Sequence, residues 1–168
     1  MRVVVVPGAL ALLPEYASID DPIADLRAAV GVAVAWLLEE GPAALAAATP
    51  AAERIGRVLL ATDVEPVAAP AGLLVVANGS AMRTEKAPGH FDERAAGFDA
   101  ALGKALAAGD LPALADVDLD LADELWALPD ADVLRHLASR VSPPTWVQVD
   151  YDDAPYGVQY WVVRWQCS

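Results

Sequence analysis

Residues Leu73-Leu74-Val75-Val76-Ala77 form an uninterrupted apolar run that empties into a long polar stretch. An apolar run this short is the mark of a strand covered on both faces, as in the middle of a parallel sheet. The polar stretch reads Asn78-Gly79-Ser80-Ala81-Met82-Arg83-Thr84-Glu85-Lys86-Ala87-Pro88-Gly89, and a helical pattern begins near Asp92. In open α/β sheets ligands gather at the carboxyl ends of the strands, so this loop is the first place to expect a site.

The rest of the chain supplies alternating partners for that strand. Arg2–Val6 reads as a strand broken by Pro7-Gly8, followed by a loop over Ala9–Asp21. Asp20 or Asp21 can cap a helix with Pro22 in its first turn. Ile23, Leu26, Ala29, Val30, Ala33, Val34 and Leu37 keep helical spacing through Glu40, where Gly41-Pro42 stops the helix. Ala43–Ala48 is read as a second strand because Gly-Pro and Thr49-Pro50 bracket it too closely for another helix. Ala51–Leu60 is helical, Glu65–Ala71 is a Pro/Ala connector, and Gly72–Ala77 is the central strand.

Asp92–Ala108 reads as a helix closed by Gly109, Asp110-Leu111-Pro112 as a short helical turn, and Asp118–Leu128 and Asp130–Arg140 as two further helices. Trp146–Asp150 and Val158–Trp165 are final strands around a Tyr151–Gly157 turn. Alternation puts Trp161 and Trp165 on one face and Tyr160 on the other. This order predicts one α/β domain over residues 1–168: a three-layer, mostly parallel sheet flanked by helices, with a C-terminal antiparallel strand pair.

Bulk properties exclude several classes. The net charge is −13, from 11 basic and 24 acidic side chains. Such a chain repels phosphate backbones and anionic lipid, which argues against nucleic-acid and membrane partners. The most apolar segment, Ala28–Leu38, falls short of the ~20 residues that span a bilayer. The Arg2–Val6 run is too short for a secretory signal, so a cytoplasmic location is expected. A single cysteine, Cys167, permits no internal disulfide and no multi-cysteine metal site.

Ala77-Asn78-Gly79-Ser80-Ala81, with the downstream Glu85-Lys86-Ala87-Pro88-Gly89, resembles the actinobacterial LigB-like proteins of the class III extradiol ring-cleavage dioxygenase family. Ala154-Pro155-Tyr156-Gly157-Val158-Gln159-Tyr160 is similar to the carboxyl end of that group. The likeness is good over Leu73–Asp99 and Tyr151–Trp165, fair over Arg2–Glu40 and poor over Ala43–Val64, where this chain is shorter. The resemblance implies a mononuclear non-haem iron held by two histidines and a glutamate, with a further histidine as acid–base catalyst. That ligand set leaves faces of the iron open for a catechol and O₂.

The residues at the matching positions cannot supply this chemistry. Gly8 stands where the resemblance puts the first iron histidine, and Ala81 stands at the acid–base position. No histidine occurs between Thr49 and Val64, where the second iron ligand is implied. The two histidines present are His90, before a helix, and His136, on one. A lone helical histidine is more often structural than a ligand, and His90 with Asp92 and Glu93 is a weak fallback site. No cofactor is therefore expected; Fe(II) or Zn belongs to the alternative, a ring-cleaving dioxygenase with a rearranged metal site using His90 or His136 and acidic ligands.

The expected pocket comprises Asn78, Gly79, Ser80, Arg83, Glu85, Lys86, Tyr156 and Gly157. Asn78 and Ser80 offer neutral hydrogen bonds, Arg83 or Lys86 can hold an anionic group, and the Gly79 and Ser80 N–H groups can form a small anion nest. The competing reading is a structural clamp in which Glu85 pairs with Arg83, Lys86 or Arg94 and the loop is merely pinned. Ser80 lacks the Gly-x-Ser-x-Gly setting of a nucleophile, so a serine hydrolase is not expected. Asp150, Asp152 and Asp153 can gather around Mg²⁺ or Ca²⁺, although such a run is more often a solvated turn. The leading expectation is a non-catalytic module, with ring cleavage lost, that binds an anionic or aromatic small molecule or a protein partner, as a homodimer. A metal-independent enzyme using Arg83, Glu85 and Lys86 is the remaining alternative.

Overall fold

The computed structural model describes residues 1–16, 21–61 and 69–168. Its strands are β1 (Arg2–Val6), β2 (Ala43–Ala46), β3 (Gly72–Val76), β4 (Pro144–Asp153) and β5 (Tyr160–Cys167). Its helices are α1 (Ala24–Leu38), α2 (Pro50–Leu60), α3 (Glu93–Ala108), α4 (Leu111–Ala115), α5 (Leu119–Glu124) and α6 (Asp130–Arg140). The strands form one sheet in the order β2-β3-β1-β5-β4. β1, β2 and β3 are mutually parallel, while β5 runs antiparallel to both β1 and β4.

Alternation along the strands divides the apolar residues between two cores. Val3 and Val5 of β1, with Trp161, Val163 and Trp165 of β5, face a layer built by α3 to α6. Val4 and Val6, with Tyr160 and Val162, face α1 and α2. The chain is thus a three-layer α/β domain, and Trp161 and Trp165 oppose Tyr160 as the alternation predicts. Trp165 is fully buried and its indole N–H donates to the Leu106 carbonyl at 2.9 Å, so its polar atom is satisfied inside the core.

Local chemistry sets the element boundaries. Thr49 Oγ1 accepts the Ala52 N–H at 3.1 Å and Pro50 opens α2; Asp92 caps α3 by accepting the Arg94 N–H at 2.8 Å. α3 ends on Gly109 in the left-handed region (φ 62°), where glycine carries no Cβ penalty. The alanine run Ala43–Ala46 is a strand despite alanine's helix propensity, because pairing with β3 outweighs that small preference.

Several boundaries differ from expectation: α5 stops at Glu124 rather than Leu128, β4 starts at Pro144 and β5 runs on to Cys167. β4 continues to Asp153 and β5 starts at Tyr160, since Tyr151, Asp152 and Asp153 still pair with Val162, Trp161 and Tyr160. The Ala9–Asp21 segment contains two short 3₁₀ turns, Leu10–Leu12 and Pro14–Tyr16. Asp21 accepts the Ile23 N–H at 3.2 Å, but α1 starts at Ala24 with Ile23 at its N-cap and no side-chain cap, so Asp21 does not cap it and Pro22 precedes it. Asp20, and residues 65–68 of the expected connector, lie outside the described residues. Among the described residues, no helix is long and apolar enough to cross a membrane.

Candidate functional site: a cleft at the carboxyl ends of the parallel strands

A cleft of about 470 Å³ opens where β1, β2 and β3 end. Its floor comes from Gly8 and Ala9 after β1, Thr49 and Ala52 at the start of α2, and Asn78, Gly79 and Ala81 after β3. Trp126, Leu128 and Pro129, between α5 and α6, and Asp130, the first residue of α6, form one wall. Tyr156, Val158 and Tyr160, from the β4–β5 connection, form the other.

Asn78 organises the floor. Its Oδ1 accepts the Gly8 N–H at 2.9 Å, tying the ends of β1 and β3 together. Its own N–H donates to Asp130 Oδ2 at 2.9 Å, bringing the first turn of α6 to the cleft. Burial pushes the Asp130 carboxyl above the ordinary carboxylate range, and the backbone and side-chain amides of Asn78 oppose that rise. A helix N-terminus also favours a carboxylate. A half-buried acid with a displaced pKa, lining a cleft, is a group with chemical potential.

The mouth is apolar and aromatic. Leu10, Trp126 and Tyr156 are 44%, 60% and 42% exposed, large side chains left open around one cavity. Trp126 has φ 55°, an uncommon backbone conformation for a bulky residue that costs about 1 kcal/mol or more. Inside the cleft, burial pushes the Tyr160 phenol up to about 12.

Beneath the cleft, the loop after β3 is bonded residue by residue to the rest of the protein. The Gly79 N–H donates to Gln159 O at 2.9 Å, the Ala81 N–H to Leu125 O at 3.2 Å, and the Arg83 N–H to Gly157 O at 3.0 Å. Ser80 is fully buried; its N–H and Oγ donate to Asp99 Oδ1 and Oδ2 at 2.8 and 2.6 Å. The Arg83 guanidinium lies 3.3 Å from Asp99 Oδ2 and donates to Gln159 Oε1. Burial raises the Asp99 pKa, while Ser80 and Arg83 counter it.

The expected site residues therefore separate. Asn78, Gly79 and Tyr156 line the cleft, whereas Ser80 lies beneath it, with its hydroxyl engaged and inaccessible. The Gly79 and Ser80 N–H groups are bonded internally and leave no free anion nest. Arg83 opens onto a second, polar hollow of about 370 Å³ with Asp99, Lys104 and Gln159, and its charge is matched by Asp99. Glu85, Lys86 and Gly157, with Tyr156 again, line a shallow apolar groove of about 720 Å³. The clamp reading is right about the pinning and wrong about its acid: Arg83 pairs with Asp99, and Arg94 with Asp92 and Glu124, not with Glu85.

The remaining polar candidates are dispersed. His90 is exposed, and so is His136, whose Nδ1 lies 2.8 Å from Asp132 O. Asp150 binds Arg164 through both oxygens at 2.7 and 2.8 Å. Asp152 accepts from Gln159 Nε2, and Asp153 from the Ala154 N–H, each at 2.7 Å. Among the described residues, no three His, Cys, Asp or Glu side chains converge as a metal site.

Sequence reasoning passed over Asp99, Trp126, Asp130 and Gln159. For Asp99 a signal existed: it shares a helical face with Ala95 and Leu102, both buried. Asp130 after Pro129 reads locally only as a helix start, and nothing near it in sequence points to Asn78. The chain matches no protein-family model and no curated protein sequence.

Proposed function

We propose that this protein is a non-catalytic, small-molecule-binding module of the LigB-like extradiol dioxygenase type, and that its ligand occupies the cleft at the ends of β1 and β3. The observation that carries this reading is the joint placement of Gly8 and Ala81. These positions, matched by resemblance to a metal-binding and an acid–base histidine, both line that cleft. The cleft lies where open α/β sheets take their ligands. Glycine and alanine have no group that binds iron or moves a proton, so the residues there do not fit the ring-cleavage centre. What they leave is space, bounded by aromatic side chains and one carboxyl.

The test is a metabolite panel read by thermal shift and by the fluorescence of Trp126, with Trp126→Phe to identify that residue's share of the signal. Binding is expected to raise the unfolding temperature, and the shift is expected to vanish in Tyr156→Ala. A flat response across a broad panel would sink the binding reading. Ring-opened product from a catechol, with Fe(II) supplied, would overturn its non-catalytic half.

A further inference from the structure

We infer that the cleft selects an organic cation: a small ammonium ion carried on an apolar or aromatic body. The inference rests on the cleft being the ligand site and adds the charge class of its occupant. Among the described residues lining it, Asp130 is the only one with a carboxyl group, and no lysine, arginine or histidine joins it. Its carboxylate offers about four acceptor positions. The Asn78 N–H takes up only part of that capacity.

The aromatic lining points the same way. Trp126, Tyr156 and Tyr160 border the same space, and aromatic faces attract cations through the ring quadrupole, Trp most strongly. An anion would meet a carboxylate, the negative faces of the rings and a chain of net charge −13, against which the N-termini of α2 and α6 at the cleft set only partial positive charges. Arg83, the cation expected to hold an anion, is turned to Asp99 and Gln159 and does not line this cleft.

Isothermal titration with benzylammonium, benzyl alcohol and benzoate separates charge from shape, since the three share one ring. The ammonium ion is expected to bind on the order of tenfold more tightly than the alcohol, and benzoate most weakly. Asp130→Asn is expected to remove the preference for ammonium over alcohol, and Trp126→Ala to weaken ammonium binding several-fold. Trp126 is an exposed residue, so its variant tests the proposal even if Asp130→Asn fails to fold. Equal or tighter binding of the alcohol or benzoate overturns the cation assignment while leaving the cleft a ligand site. No binding of any of the three overturns it too, and the metabolite panel then decides whether the cleft binds ligands at all.

Discussion

The Ser80 hydroxyl donates to the Asp99 carboxylate at 2.6 Å, with both residues sealed from solvent. One carboxylate thereby serves the Ser80 N–H, the Ser80 Oγ and the Arg83 guanidinium, joining the loop after β3 to α3. Replacing Asp99 by Ala strands all three donors and is expected to cost about 3–5 kcal/mol in urea unfolding. Ser80→Ala removes one bond and leaves Arg83 in place, for about 1–2 kcal/mol. A double-mutant cycle should show the two losses to be strongly non-additive.

Stability should respond to pH through Asp99 and Asp130. Burial raises both folded-state pKa values, so the folded protein holds protons that the unfolded chain has released. Their contribution is largest below the ordinary carboxylate range and declines as pH rises through the raised values. Asp21 and Asp92, held low by hydrogen bonds from Arg27 and Arg94, act in the opposite sense. They lie at the surface, where solvent screens the effect. Unfolding free energies from about pH 4 to about pH 8 should fall for the wild type, and fall less in Asp130→Asn. An unchanged slope in that variant would remove Asp130 from the account.

Arg164 couples the sheet to α1. It binds Asp150 through two nitrogens and lies 5.6 Å from the Trp36 ring centre and 5.5 Å from that of Trp146. Lysine keeps the charge but loses the planar fork and the stacking. Arg164→Lys is therefore expected to lower stability by about 1–2 kcal/mol, read as a lower urea midpoint at unchanged slope.

Three glycines offer a contrast in sign. A Cβ on Gly79 would meet Asp99 Oδ1 at 2.5 Å, the Trp161 ring at 2.6 Å and Gln159 Cβ at 2.8 Å. Gly79→Ala should destabilise by about 1–3 kcal/mol or more through overpacking. At Gly31 in α1 and Gly97 in α3 a Cβ would meet nothing within 4 Å. Alanine at either helical position should raise stability by about 0.5–1 kcal/mol. Thermal melts of the three single variants would check both signs.

What the sequence made legible was local. Periodicity located α1 and α6 closely, periodicity with the Asp92 and Gly109 caps located α3, and the apolar runs located β1 and β3. Pairing was less accessible: that β5 lies beside β1, in the middle of the sheet, depends on residues far apart in the chain. The same limit governed the site. Asn78 and Tyr156 were recognisable from their own loops, whereas Asp130 comes to Asn78 across 52 positions and Gln159 reaches Arg83 across 76. Arg83 looked like an available cation because its buried counter-ion sits on another element. The polar loop read as a set of ligand groups, but most of its donors serve the fold.

The internal bonding of residues 78–83 also affects how this protein can change. The loop's main chain is fixed by bonds to the β4–β5 connection, α3, the segment before α6 and the first residue of α6, while the mouth above it is built from side chains such as Leu10, Trp126 and Tyr156 that the core does not need. Substitutions at the mouth can therefore accumulate with little penalty to folding, and each alters what the cleft admits. The loop beneath is less open to such drift, since the Asn78, Ser80 and Arg83 side chains bond to other elements and a Cβ at Gly79 would clash. New ligand preferences would evolve at the rim, over a base that natural selection has little freedom to vary.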